Sequence, residues 1–332
     1  MKQLSDVALS VLDLATIRRG GDASEAFART AALARHAEAL GYTRYWLAEH
    51  HNLAGVASSA TSVLIGYVAS LTQRIRVGSG GVMLPNHAPL IIAEQFGTLA
   101  SLYPGRIDLG LGRAPGTDGL TARALRRHLS ADENEMAELL AELRGYFKPE
   151  RAGEHVRAIP GEGLDVPVWL LGSGAYSAQL AGTLGLPFGF ASHFAPDNVL
   201  PALDLYRRSF RPSATLQQPY VQVGMNVVAA DTLAHAEYLA TSLKQRWLRV
   251  IRDQRGPLDP PVDSMHGLWN EREEVLVNAR LAATAIGDVA TVRAKMQSFV
   301  DQTQADEIII CTDTFEAADR LRSFELVMQA RG

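Results

Sequence analysis

The chain has 332 residues, 47% hydrophobic and 20% charged, with a formal net charge of -4. That is enough apolar content for a large buried core, and the mild acidity argues against a dedicated nucleic-acid binder, which carries a basic excess or stripe. No run approaches the roughly 18 uninterrupted apolar residues of a membrane helix, and the start, Met1-Lys2-Gln3-Leu4-Ser5-Asp6, lacks a signal peptide's apolar segment, so a cytoplasmic protein without a membrane or nucleic-acid partner is expected.

Short apolar or β-branched runs alternate with longer helical patterns, which argues for βα units around a parallel sheet. The first run, Val7 to Leu12, precedes a polar loop around Arg18-Arg19-Gly20-Gly21-Asp22. A helix follows, with Ser24 as expected N-cap, Phe27, Ala31, Ala34, Ala37 and Leu40 at helical spacing, and Gly41 as its stop. The second run, Thr43 to Ala48, leads into Glu49-His50-His51-Asn52; a small-residue helix from about Ser58 to Leu71 comes next. The third run, Ile75 to Pro85, holds Gly78, Gly80 and Gly81. Glycines inside an apolar strand weaken it and suggest a bulge, or a ligand against bare backbone.

A helix from about Leu90 to Leu102 leads to the fourth run, Arg106 to Arg113, and a Pro/Gly loop to Asp118. Thr121 to Arg127 reads as irregular, Asp132 to Phe147 as a helix, and 148 to 166 as a long exposed loop. The fifth run, Pro167 to Leu171, breaks into Gly172-Ser173-Gly174 and a helix from Ala175 to Leu184. The sixth, Pro187 to Ala191, ends in Ser192-His193; the seventh, Tyr220 to Val228, precedes a helix start at Asp231-Thr232. The eighth, Glu307 to Cys311, precedes a terminal helix from Phe315 to Gln329. Eight such units fit one (β/α)₈ TIM barrel spanning 1–332, with residues 250–286 as an insertion near its C-terminal mouth, helical from Glu271 to Ala283. Cys311 is the single cysteine, which excludes internal disulfides and multi-cysteine metal sites. Its place after Ile308-Ile309-Ile310 suits a buried structural thiol.

The active site of such a barrel lies at the C-terminal ends of its strands. Asp13, His50, His51, Gly80, Gly81, Arg113, Ser173, Gly174 and His193 all fall there. Histidine titrates near neutrality, so the His50–His51 pair is a candidate acid/base site or a solvated strand end. Gly172-Ser173-Gly174-Ala175-Tyr176-Ser177, between strand and helix, suits a phosphate through free N–H groups and hydroxyls, or is a tight turn. Arg113 would be the phosphate's counter-charge, or a surface ion-pair partner. The dinucleotide fingerprint is absent, since Pro115 stands where its third glycine belongs. No carboxylate cluster joins the histidines at ligand spacing, so no metal is expected. A flat phosphorylated cofactor lying on Ser79-Gly80-Gly81 accommodates these features, and flavin mononucleotide (FMN) has that shape.

Five blocks then point to one family. Trp46-Leu47-Ala48-Glu49-His50-His51-Asn52, Val77 to Pro85, Ala93 to Leu99, Gly105 to Asp118 and Leu170 to Gly174 resemble the bacterial luciferase-like flavin monooxygenases, in family order. The resemblance runs from Leu9 to the last helix and is weakest in 119–165 and 250–286. It implies a (β/α)₈ barrel using reduced FMN from a separate flavin reductase, and molecular oxygen, through a flavin hydroperoxide, on a small organic substrate, commonly as a dimer. It places the catalytic histidine at His50, with His51 beside it, and a bulge carrying a non-proline cis peptide under the flavin at Gly80-Gly81. The phosphate falls to Arg113, Ser173, Gly174 and Ser177, with Gly172 and Tyr176 in the same loop. The family's luciferase has a carboxylate where this chain has Ser173. Asp13 and His193 are expected to contact substrate. Two other readings remain open: a deazaflavin-dependent hydride-transfer enzyme of the same fold, and a non-catalytic flavin-binding protein.

Overall fold

The computed structural model describes residues 2–114, 116–125, 135–149 and 155–332. Eight parallel strands close into a ring: β1 (Ala8–Asp13), β2 (Arg44–Leu47), β3 (Arg76–Met83), β4 (Ile107–Gly112), β5 (Val168–Gly172), β6 (Phe188–Phe190), β7 (Val221–Ala229) and, after the extra strand β8 (Thr284–Gly287), β9 (Glu307–Cys311). The ring closes because β6 pairs with both β5 and β7, and β9 with both β7 and β1. All eight runs read from the sequence are strands of this barrel. β8 stands outside it. The near half of β7, Gln222 to Asn226, pairs with β9, and its far half, Asn226 to Ala229, with β8. All nine residues of β7 are buried.

Side chains alternate across the barrel wall. Leu9, Val11, Tyr45, Leu47, Val77, Leu109 and Ile308 face outward into one continuous core with the surrounding helices. Leu12, Trp46, Ala48, Trp169 and Ile309 form a separate interior cluster. The floor is polar and closed. Arg44 bridges Asp108 (2.7 Å) and Glu307 (3.1 Å), Arg76 joins Asp108 (2.6 Å), and Ser10, Gln222 and Tyr220 bond Glu307. Above it Trp46 meets Trp169 edge-on at 5.1 Å, with the Arg44 guanidinium 4.7 Å from the Trp169 ring. A floor this well paired belongs to the stabilising end of a barrel; the chemistry belongs to the other end.

The helices are α1 (Ala23–Leu40), α2 (Thr61–Leu71), α3 (Pro89–Leu102), α4 (Gly119–Ala124), α5 (Glu135–Tyr146), α6 (Ala175–Leu184), α7 (Val199–Ser209), α8 (Leu233–Ile251), α9 (Glu271–Arg280), α10 (Val289–Thr303) and α11 (Ala317–Arg331). Several differ from the sequence expectation. The N-cap of α1 is Asp22, whose carboxylate accepts from the Glu25 amide, rather than Ser24. Part of the stretch expected to be irregular is α4, capped by Asp118; Arg126 and Arg127 lie outside the described residues. The 148–166 loop is not wholly exposed, because Ala158 and Val166 are buried. Helix α9 stops at Arg280, and the chain then forms β8. Cys311 is buried, and burial raises its thiol pKa. Among the described residues no helix is long and apolar enough to cross a membrane.

Candidate active site

The mouth is built by the loops after β2, β3, β4, β5 and β6. Those after β2 and β4 are fastened together: the His51 amide donates to the Gly116 carbonyl (3.4 Å), and the Thr117 hydroxyl to the His51 carbonyl (3.0 Å). His50 is half-buried, and its Nδ1 lies 3.3 Å from the same Gly116 carbonyl. A carbonyl only accepts, so Nδ1 carries the proton and Nε2 keeps the lone pair. Burial lowers the His50 pKa from its ordinary 6.5, and the Gly116 bond opposes this only in part. His50 is therefore a neutral imidazole with a basic nitrogen at neutral pH.

His51 is tied instead to Glu49, which is almost fully buried. Glu49 accepts from His51 Nε2 (2.9 Å), His87 Nε2 (3.0 Å), Asn86 Nδ2 (3.2 Å) and the Met83 amide (3.1 Å). Burial works to raise the carboxyl's pKa, but these bonds and the His87 charge outweigh it and hold it below its ordinary value. The expectation that no carboxylate meets the histidines is corrected: ligand atoms of Glu49, His51 and His87 lie within 4.8 Å of one another. In the present arrangement both imidazoles donate to the carboxylate.

Strand β3 carries the bulge. The Gly80–Gly81 peptide is cis, and the pairing with β4 shifts register between Gly80 and Val82. A Cβ on Gly81 would lie 2.7 Å from the Gly110 carbonyl, and one on Gly80 2.8 Å from Leu12, so bare backbone is required there. Ser79 does not present its hydroxyl to the mouth. It is fully buried, donates to the Gly110 carbonyl (2.8 Å) and accepts from the Gly110 amide (3.0 Å).

Beyond β5, Gly172, Ser173 and Gly174 lead into α6. Gly174 is the N-cap and supplies no side-chain acceptor to the first-turn amides. Ser173, Tyr176 and Ser177 are half-buried around this helix start. The Arg113 guanidinium, from the end of β4, sits 4.4 Å from the centre of the Tyr176 ring. Arg113 and the α6 start thus share one corner of the mouth.

His193, on the loop after β6, lies close enough to His50 to feel its charge. Its imidazole lies over Gly224 of β7, where a Cβ would be 2.0 Å from Nδ1. Burial lowers its pKa to about 4. Asp13 is not in the mouth, which corrects its expected contact with substrate. Its buried carboxylate accepts from Thr30 (2.6 Å), Tyr45 (2.5 Å), Arg320 (2.9 Å) and the Ala15 amide (3.0 Å). Burial would raise its pKa, and Arg320 with the two hydroxyls outweighs that and lowers it.

Three mouth residues escaped the sequence reading. His87 follows directly on the glycine run, and its Pro85-Asn86-His87 turn was a usable signal. Arg246, in the middle of α8, and Asp313, two residues past β9, carried none; they pair at 2.5 Å.

The family model for luciferase-like monooxygenases matches residues 7–307. A luciferase-like monooxygenase of Escherichia coli K12 is 54% identical over 325 residues, covering 98% of this chain and 97% of that protein. The crystal structure of apo-MsnO8 superposes with a TM-score of 0.87 at 31% identity, covering 98% of both chains. The fold alone is shared with the FMN-bound oxygenating constituent of 3,6-diketocamphane monooxygenase from Pseudomonas putida (TM-score 0.73, 19% identity, 98% of both chains). It is shared also with an F420-dependent secondary alcohol dehydrogenase (TM-score 0.70, 14% identity, 98% of this chain and 99% of that one). The chain belongs to the luciferase-like monooxygenase family of oxidoreductases.

Proposed function

We propose that the protein is a flavin-dependent monooxygenase that takes reduced FMN from a separate flavin reductase and uses molecular oxygen on a small organic substrate. The observation that carries this is the bare Gly80–Gly81 bulge opening onto the same mouth as the uncapped start of α6. A flat ring system suits a stretch of strand that carries no side chain of its own, with Leu12, Trp46 and Leu171 as its apolar surroundings. A phosphate fits the first-turn amides of α6, where Ser173 and Ser177 add hydroxyls and Arg113 adds a forked cation. FMN-bound relatives of the fold support this choice of flavin.

Bound reduced flavin supplies the two electrons that let one oxygen atom enter the substrate while the other leaves as water. The protein's own residues provide the rest. Arg113, Ser173, Gly174, Ser177 and the Gly172 and Tyr176 backbone around them would hold the phosphate, and Gly80 and Gly81 would lie against the ring. His50 moves a proton at Nε2, since Nδ1 is engaged by Gly116. Glu49, gripping His51, His87 and the Met83 amide, fixes the histidine loop against the bulge.

The test is His50→Ala. It should bind FMN as wild type does, lose product formation and release the consumed oxygen as hydrogen peroxide. Full coupling of oxygen uptake to product in the variant would remove His50 from this role.

The F420-dependent relative supports a second reading, hydride transfer from a deazaflavin, which requires no oxygen. A homodimer is part of the proposal. Val63 and Tyr67 on α2, with Ile91 and Leu102 on α3, are exposed apolar side chains on neighbouring helices, and such a surface suits a second copy.

A further inference from the structure

Three segments wall one side of the mouth and are laced by backbone bonds. Ile17 donates to the Gly55 carbonyl (3.0 Å), Leu258 to Ile17 (2.9 Å) and Arg19 to Leu258 (2.7 Å), and Thr16 pairs with Val56. These bonds tie the loop after β1, the loop after β2 and the strap that follows α8. Asp259, buried in the seam, pairs with both Arg19 and Arg249. The strap at 252–259 is therefore built into the fold, and the groups it carries are held before any ligand arrives.

This wall and α8 are cationic where they face the two histidines. Arg246, with 24% of its side chain exposed, uses one nitrogen on Asp313 (2.5 Å). Its other N–H groups have no partner among the described residues. Asp313 in turn accepts from the Thr16 hydroxyl at 3.3 Å, which fixes the pair at the end of β9. Arg255, on the strap, is exposed and forms no ion pair among the described residues. Contact between the Phe194 and Trp247 rings, 6.0 Å between centres, docks the residue beside Arg246 onto the loop that carries His193. The fields agree with this placement: Arg246 acts on both His50 and His193, and Arg255 on His50, each disfavouring protonation. Of the acidic groups nearby, Glu49 is occupied by His51 and His87. Asp313 offsets one of the two guanidinium charges. What remains is one surplus positive charge and an open guanidinium fork beside neutral imidazoles. That combination recognises an organic anion.

We propose that Arg246, assisted at the rim by Arg255, binds a carboxylate carried by the substrate, so that the protein acts on small organic acids rather than on neutral hydrocarbons or aldehydes. The inference rests on the monooxygenase reading for its reaction, though not for the binding itself.

The test is calorimetric titration of the protein saturated with oxidised FMN, so that the anion corner at Arg113 and α6 is filled, with acetate, butyrate, benzoate and octanoate, each against its own primary amide. At least one carboxylate should bind about tenfold or more tighter than its amide, and Arg246→Gln should abolish that preference. Asp313→Asn, which frees Arg246, should keep or strengthen it, whereas a merely structural latch would make both variants lose binding alike. Amides binding as well as carboxylates would overturn the proposal, as would preference surviving in Arg246→Gln, or no carboxylate binding below about 10 mM. Carboxylate binding by a protein that then proves unable to oxygenate anything would sink the monooxygenase reading and leave the anion site standing.

Discussion

His193 makes the site's electrostatics measurable through stability. Burial over Gly224 keeps its imidazole neutral and brings its pKa from 6.5 down to about 4, with the nearby His50 and Arg246 acting in the same direction and Asp313 opposing. The unfolded chain binds this proton more readily than the folded one, so folding stability must fall on acidification through the window from 6.5 to about 4. Between about pH 7.5 and pH 5 the loss from this one group is about 2 kcal/mol. His193→Gln removes the titration. Urea unfolding at both pH values should show the stability difference shrinking by that amount in the variant, with an unchanged denaturant slope. His50 titrates in the same direction and is coupled to His193, so the comparison is made in a His50→Gln background, where only His193 differs. An identical acid loss with and without His193→Gln would show that His193 is not held neutral, and the account of the mouth as a cationic, desolvated chamber would go with it.

Asp13→Asn should cost about 3–5 kcal/mol in unfolding experiments, because it leaves the Arg320 guanidinium buried without its countercharge; FMN affinity should not change. A loss under about 1 kcal/mol would mean that the Asp13–Arg320 pair is not structurally important. Arg113→Ala should weaken FMN binding about tenfold or more while leaving riboflavin binding almost unaltered, as fluorescence titration would report. Equal losses for both flavins would remove the phosphate assignment. Glu49→Gln should destabilise the protein by about 2–4 kcal/mol, since two imidazole N–H groups and the Met83 amide lose a charged acceptor. It should also lower turnover more than flavin affinity; the reverse pattern would mean that Glu49 serves the cofactor pocket rather than the histidine loop.

The barrel was legible because parallel strands buried on both faces read as short, mainly apolar or β-branched runs between helical patterns. Polar residues such as Ser10, Asp108, Gln222 and Asn226 interrupt these runs, and all eight of its strands stood out this way. β8 did not, since Thr284-Ala285-Ile286-Gly287 is a four-residue piece following a helical pattern and pairing only with the far half of β7. Strand ends located the mouth but did not by themselves decide which side chains enter it. Alternation does. Asp13 shares its face with Leu9 and Val11, and Ser79 shares its face with Val77, so both point away from the interior that Leu12, Trp46 and Gly80 line. Asp13 therefore joins the helix layer, and Ser79 pins β3 to β4 below the bulge. The resemblance located the bulge at Gly80–Gly81, where the structure has a cis peptide. Arg246 was invisible for a different reason. An arginine on an amphipathic helix reads as solvated surface, and only the three-dimensional meeting with Asp313 and the histidine loops shows otherwise.

The most direct measurement compares binding of reduced FMN with binding of reduced deazaflavin, then admits oxygen to the tighter complex in the presence of a substrate. Reduced FMN is expected to bind better, oxygen to be consumed, and product to form with one atom of labelled oxygen. Preference for the deazaflavin, with substrate turnover unchanged when oxygen is withheld, would contradict the monooxygenase reading.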